Sequence, residues 1–101
     1  MKIIILQLIY IKKGEESTFF AFEDLAIPLI TRYNGRLLLR LRPTENDFIE
    51  VYIEKPFEVH LVEFYTDSDF QNFLNDETRQ EFLHLKEQSI RNAILIKGTI
   101  L

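Results

Sequence analysis

"MKIIILQLIYIKKG" (residues 1–14) opens the chain with one lysine and then a nearly unbroken apolar run from Ile3 to Ile11. Three readings compete for it: an export signal, a membrane anchor, or a strand with both faces buried. The run is far shorter than the ~20 residues that a membrane-spanning helix requires. It ends in Lys12, Lys13, Gly14, Glu15 and Glu16 rather than in a small-x-small cleavage site. Isoleucine, branched at Cβ, suits a pleated surface better than a helix. A strand over 3–11 is therefore expected. Ile3, Ile5, Ile9 and Ile11 share one of its faces, with Gln7 the only polar member, and Ile4, Leu6, Leu8 and Tyr10 share the other.

A length of 101 residues predicts one domain over 1–101, just large enough to build a core without staples. Twelve basic and 16 acidic residues give a net charge of −4, which lacks the bulk electrostatic footprint of a nucleic-acid binder. There is no cysteine, so disulfides, thiolate catalysis and sulfur-ligated zinc are excluded. A cytoplasmic protein with no membrane and no nucleic-acid partner is the expectation.

From Ser17 to Tyr33 apolar residues recur at helical spacing, with Phe22, Leu25, Ala26, Leu29, Ile30 and Tyr33 on one stripe. Ser17 offers an N-cap and Asn34-Gly35 a left-handed stop. Pro28 lies inside this helix and predicts a kink near Asp24. "RLLLRLRP" (36–43) then alternates as a strand does, with Leu37, Leu39 and Leu41 one way and Arg36, Leu38, Arg40 and Arg42 the other. Residues 43–56 read as a long connection in which "IEVYIEKP" could extend a hairpin. "FEVHLVEFY" (57–65) is a third strand. Thr66 with Asp69 makes a capping-box-like start to a second helical region bearing Phe70, Phe73 and Leu74. That region continues through Phe82 and Leu85 after a break near Asn75-Asp76, and "RNAILIKG" (91–98) closes as a fourth strand.

The order strand, helix, strand, strand, helix, strand is the split βαβ pattern. It predicts an α+β, ferredoxin-like βαββαβ sandwich: a four-stranded antiparallel sheet with two helices on one face. The first, third and fourth strands are apolar on both sides, whereas a sheet half exposed to water alternates apolar with polar. An uncovered patch of that kind is unusual in a soluble monomer. The expected solution is a homodimer formed through the sheet.

"FEDLAIPLITRYNGRLLLR", "PFEVHLVEFYTDSDFQNFLND" and "FLHLKEQS" together resemble the domain-of-unknown-function 1330 family, within the dimeric α+β barrel superfamily. The shared features are Pro28 within the first helix, Tyr33-Asn34-Gly35-Arg36 leading into a strand, the Glu63-Phe64 pair closing the third strand, and Phe70 opening the second helix. The resemblance implies a dimer through the sheet. Relatives in the superfamily include cofactor-independent quinone-forming monooxygenases, haem-degrading enzymes, a lactone isomerase and small stress proteins. Between Leu41 and Pro56 the chain departs from the family, whose glycines and Glu-Gly-x-Trp segment are absent.

Five polar features stand out for chemistry. Glu63, in an otherwise apolar strand and at the position of the family's Glu-Phe pair, is a candidate acid or base, or else an ion-pair partner of Arg36 or Arg40. His60 lies on the opposite face of a regular strand, so the two form no local pair; it is a second catalytic candidate or a hydrogen-bonded structural histidine. Arg36, Arg40 and Arg42, on one side of one strand, could hold a ligand's carboxylate or phosphate, or pair with Glu50, Glu54 or Glu58. Gln7 marks either a structural hydrogen bond or the opening of a pocket, and with Tyr33, Arg36 and Arg40 it completes the candidate ligand-binding set. His84 has no convincing ligand partner, so no metal is expected.

No cofactor is expected either. The superfamily resemblance and these residues together imply two alternative functions. One is a dimer that binds or transforms a small apolar or aromatic carbonyl or phenolic compound between sheet and helices, by monooxygenase-like or isomerase-like chemistry. The other is a non-catalytic dimeric stress or regulatory module.

Overall fold

A computed structural model describes residues 1–101. β1 (Ile3–Ile11) is followed by α1 (Glu16–Arg32), β2 (Gly35–Leu41), a single 3₁₀ turn at Glu45–Asp47, β3 (Glu58–Phe64), α2 (Asp67–Leu74), α3 (Glu77–Glu81), α4 (Leu83–Ser89) and β4 (Ile90–Thr99). The four strands form one antiparallel sheet in the order β2-β3-β1-β4, with the helices packed against one face. This is the ferredoxin-like α+β sandwich expected from the order of elements. The opening run is its β1, a central strand flanked by β3 and β4. No helix is long and apolar enough to cross a membrane.

The inner face of the sheet meets the helices through Ile3, Ile5, Val62 and Phe64, which pack with Ile30 of α1 and Phe70 of α2. Phe64 anchors this core, with ring centroids 5.4 Å from both Phe70 and Phe73. Asn34 takes the left-handed conformation (φ 58°) that stops α1. Thr66 caps α2 by accepting a bond from the Asp69 backbone, and the expected break falls at Asn75 and Asp76, where Asp76 caps α3. Gly35 is fixed by packing, since a Cβ there would lie 2.6 Å from the Phe64 ring and 2.7 Å from the Ile30 side chain.

Several local expectations are corrected. α1 begins two residues earlier than a Ser17 cap would allow: Glu15 occupies the N-cap position, and its carboxylate accepts from the Thr18 hydroxyl. Pro28 lies inside α1, as expected, and the helix continues to Arg32. Its buried stripe is Phe19, Phe22, Glu23, Ala26, Leu29 and Ile30, while Leu25 turns to solvent. No hairpin forms in 49–56, where Ile49, Tyr52 and Ile53 are exposed.

The correction with the largest consequence is in β2. Its pairing with β3 slips by one residue between Leu37 and Leu39, so Leu38 is bulged out of the ladder. Arg36 therefore pairs opposite Glu63 on the outer face, while Arg40 pairs opposite His60 on the inner face. The three arginines do not share one side.

Outside, two complete rows of apolar residues cross the sheet: Leu39, Leu61, Leu6 and Ile96, then Leu41, Val59, Leu8 and Ile94. Ile96 is 56% exposed and Leu39 45%, so these two rows stay open to solvent in the protomer.

Candidate functional site

β3 alternates strictly, and Glu58, His60, Val62 and Phe64 all turn inward and are buried. β1 brings Gln7 opposite His60, and β2, past its bulge, brings Arg40 to the other side of the same histidine. Arg40, His60 and Gln7 thus form one polar row on the inner face. Glu23 comes down from α1, where it occupies one position of the stripe Phe19–Glu23–Ala26–Ile30.

These side chains form a closed ionic cluster. His60 Nε2 lies 3.0 Å from Glu23 Oε2 and 2.5 Å from Glu58 Oε2. Arg40 Nη2 donates to Glu23 Oε1 at 2.7 Å, and its Nε to Glu58 Oε2 at 3.4 Å. Arg42 Nε donates to Glu58 Oε1 at 2.6 Å, and its guanidinium stacks over the Phe20 ring at 4.2 Å. The carboxylates are buried, Glu58 completely, while the two arginines are half-exposed at the sheet edge.

Burial pulls the Glu58 carboxyl up, but hydrogen bonds from His60, Glu23 and Arg42 outweigh it and hold the pKa at about 2. The same burial wins at Glu23, where the neighbouring Glu58 adds to it, and that carboxyl is raised. Burial would depress the His60 imidazole; the hydrogen bonds to Glu23 and Glu58 reverse the sign and raise it above its ordinary 6.5. The geometry favours an imidazolium with Nε2 fixed between two carboxylates. None of the protein's hydrogen bonds uses its Nδ1.

Glu23, Glu58 and His60 place one ligand atom each within 4.8 Å of one another, a spacing that can hold a cation. The two arginines argue against one. They already balance both carboxylates, and a dication among them would face two guanidinium charges at short range.

Beside the cluster, a cavity of about 130 Å³ lies between sheet and helices. Its walls are mainly apolar, with Ile5, Ile9, Phe22, Val62, Phe64 and Phe70 among them. Gln7, Glu23 and His60 supply polar groups, and Arg79 and Lys86 enter from α3 and α4. Gln7 is among the residues lining the cavity, and no side-chain hydrogen bond ties it down.

The remaining sequence candidates lie elsewhere. Glu63 is on the outer face, 3.0 Å from Arg36 and 3.9 Å from Lys2, outside the cavity. Its neighbours Val62 and Phe64 turn to the buried inner face while Glu63 turns out, and the cross-strand arginine accounts for the acid. Tyr33, at the end of α1, donates to Asp76 and packs edge-on against Phe73. His84 is exposed on α4, its ring bonded to the Glu81 carbonyl at 3.0 Å.

The cluster contains two residues not singled out from the sequence as site residues. Glu58 was detectable, since it stands two residues before His60 on the same strand face. Glu23 had a weaker signal: it sits four residues after Phe19 and three before Ala26, at a stripe position that an acid would be expected to avoid.

The fold is the ferredoxin-like α+β sandwich, and it has counterparts among solved structures. No protein-family model matches the sequence, and no curated protein matches it. Solved structures do match. A protein of unknown function from Rhodopseudomonas palustris superposes with a TM-score of 0.83 at 16% identity, over 99% of this chain and 82% of that one. A Dabb family protein with a ferredoxin-like fold from Mesorhizobium loti gives 0.74 at 14% identity, over 99% and 97%. A dimeric ferredoxin-like protein of unknown function from Jannaschia sp. CCS1 gives 0.74 at 14% identity, over 99% and 100%. At these identities the likeness establishes the fold.

Proposed function

We propose that this chain is a homodimeric small-molecule-binding protein, one dimeric α+β barrel domain over 1–101. Its cavity takes a small apolar or aromatic carbonyl or phenolic compound without a cofactor, and His60 exchanges a proton with it. The observation that carries this reading is the cavity itself, which has apolar walls with Gln7, Glu23 and His60 converging on them. Its volume is close to the ~150 Å³ of an apolar cavity known to accept benzene, so one small ring fits. With Nε2 committed to Glu23 and Glu58, Nδ1 is the nitrogen that meets the ligand's oxygen. The two carboxylates orient the ring and stabilise its charged form, as the carboxylate does in other His–carboxylate pairs.

The dimer is supported by the two apolar rows on the outer face and by the dimeric relative of the same fold. Eight side chains per protomer, sixteen in a two-fold pair, contribute on the order of 10 kcal/mol gross when their exposed parts are covered. Kinship with the domain-of-unknown-function 1330 family rests on Pro28, Asn34-Gly35, Glu63-Phe64 and Phe70.

NMR titration with acetophenone and 4-methylphenol tests the binding. Saturable shifts of the Ile5, Gln7, Phe22 and His60 resonances are expected. Their absence at millimolar ligand would overturn the reading in favour of a non-catalytic dimeric module. Proton exchange at the acetophenone methyl in D₂O tests the chemistry: with His60 Nδ1–H donating to the carbonyl oxygen and solvent water taking the methyl proton, the wild type accelerates exchange and His60→Asn loses the acceleration. Binding without any acceleration would remove His60 from its acid–base role.

A further inference from the structure

The part of the cavity wall that α3 and α4 supply carries two cations and no acid. Arg79, in α3, is 9% exposed and lies in no ion pair. Its Nη1 donates to the Leu74 carbonyl at 3.2 Å, and its guanidinium lies 5.2 Å from the Phe73 ring centre. Its Nε is buried with no acceptor at all. The nearby Asp76 does not supply one, because that carboxylate accepts from the Arg79 backbone N–H and the Tyr33 hydroxyl and faces Arg32 at 3.9 Å. Lys86 lines the same cavity from α4, and its ammonium has neither a hydrogen bond nor a carboxylate partner.

Buried charges in proteins are paired or coordinated, and a buried donor left unmet costs about 1–3 kcal/mol. Arg79 is therefore a costly buried cation, and Lys86 adds a second, half-buried one at the same apolar cavity. Desolvation lowers both pKa values, and repulsion from Arg79 lowers Lys86 further. An anion placed between them relieves all three penalties. The chemistry of that anion follows from the geometry. With Nη1 engaged, the Nε–Nη2 edge of the guanidinium remains, and two parallel N–H donors match a carboxylate in the bidentate manner.

We infer that the ligand is a small apolar or aromatic carboxylate, its acid group held by Arg79 and Lys86 and its ring lying among Phe22, Val62 and Phe64. This rests on the cavity being the ligand site, and it names the ligand class. Gln7 and His60 then meet the far end of the molecule, where its carbonyl or phenolic oxygen lies.

Benzoate and its neutral isostere benzamide are the probes, titrated at pH 7 and followed by NMR. Benzoate binds the wild type at least tenfold tighter than benzamide, and Arg79→Met abolishes the difference without weakening benzamide. Equal affinities in the wild type, or a preference that survives in Arg79→Met, would overturn the inference while leaving the cavity reading intact, provided that benzamide shifts Ile5 and His60. If neither probe shifts those residues, the cavity reading fails and this one with it. Should Arg79→Met not fold, the Arg79 Nε–Hε resonance of the wild type decides. It moves with benzoate and not with benzamide; benzoate bound with that resonance unmoved would overturn the assignment.

Discussion

Replacing Glu58 by glutamine keeps the shape of the side chain and removes the fully buried anion of the cluster. The groups facing it are His60 beside it in β3, Glu23 from α1, Arg40 from β2 and Arg42 just past the end of β2. Holding this carboxyl at about 2 instead of 4.5 contributes on the order of 3 kcal/mol to folding at neutral pH. Because the folded pKa is depressed, that contribution is complete above the unfolded value and is lost as pH falls towards 2. About 2 kcal/mol of it is gone by pH 3. Glu23 shifts the other way, its burial favouring the protonated acid, so amidating it removes little at pH 7. Urea unfolding of wild type, Glu58→Gln and Glu23→Gln from pH 3 to 8, at one protein concentration because assembly adds to stability, reads the difference. Glu58→Gln costs about 3 kcal/mol at pH 7 and clearly less at pH 3, and it costs more than Glu23→Gln. A cost that is flat across this range, or a larger one for Glu23→Gln, would refute the charge assignment of the cluster.

Three further outcomes follow from other parts of the fold. Wild-type protein sediments near twice the 12.1 kDa chain mass at micromolar concentration, whereas the double substitution Leu39→Glu, Leu61→Glu in the centre of the outer face does not; wild type at the single-chain mass sinks the dimer. Gly35→Ala destabilises by about 1–3 kcal/mol in thermal unfolding, because the added methyl meets Phe64, which is 1% exposed and has nowhere to move; an unchanged midpoint contradicts that packing. Glu63→Gln removes an ion pair whose arginine is 70% exposed and costs less than about 1 kcal/mol, with benzoate and 4-methylphenol titrations unaltered; a change in either would bring Glu63 back to the site.

The architecture was legible because its signals are periodic and redundant. Isoleucine on both faces of β1 and strict alternation in β3 are stated many times over, and the caps at Thr66 and Asn34 mark where helices start and stop. Alternation also separated His60 from Glu63, as the structure does. The site was less legible, and one residue accounts for most of that. Leu37, Leu38 and Leu39 form a run of three identical side chains with no glycine or proline to mark a bulge. Reading straight through the run puts Arg36 and Arg40 on one face; the slip at Leu38 puts them on opposite faces. Every pairing downstream of that slip, including those of Arg40 and Arg42 with Glu58, is set by tertiary packing and not by local pattern. Arg79 was invisible for a different reason: nothing in "DETRQEF" says which of its charged residues will be buried.

The bulge also explains how one arginine-bearing edge strand serves two faces with different tasks. Without it, Arg36, Arg40 and Arg42 would all point one way. Turned outward, Arg40 and Arg42 would take the places of Leu39 and Leu41 in the apolar rows; turned inward, Arg36 would leave Glu63 with only the long Lys2 contact beside those rows. One extra residue leaves the outer face apolar apart from the neutralised Arg36–Glu63 pair and sends the other two cations to Glu23 and Glu58. A buried ionic cluster of this kind is poor value as a source of stability, since well-packed hydrophobic side chains serve as well or better. What hydrophobic side chains cannot do is hold an imidazole charged and oriented at the wall of an apolar cavity. That contrast favours a cluster retained for what it does to His60, and a bulge retained because it delivers the arginines without spoiling the opposite face.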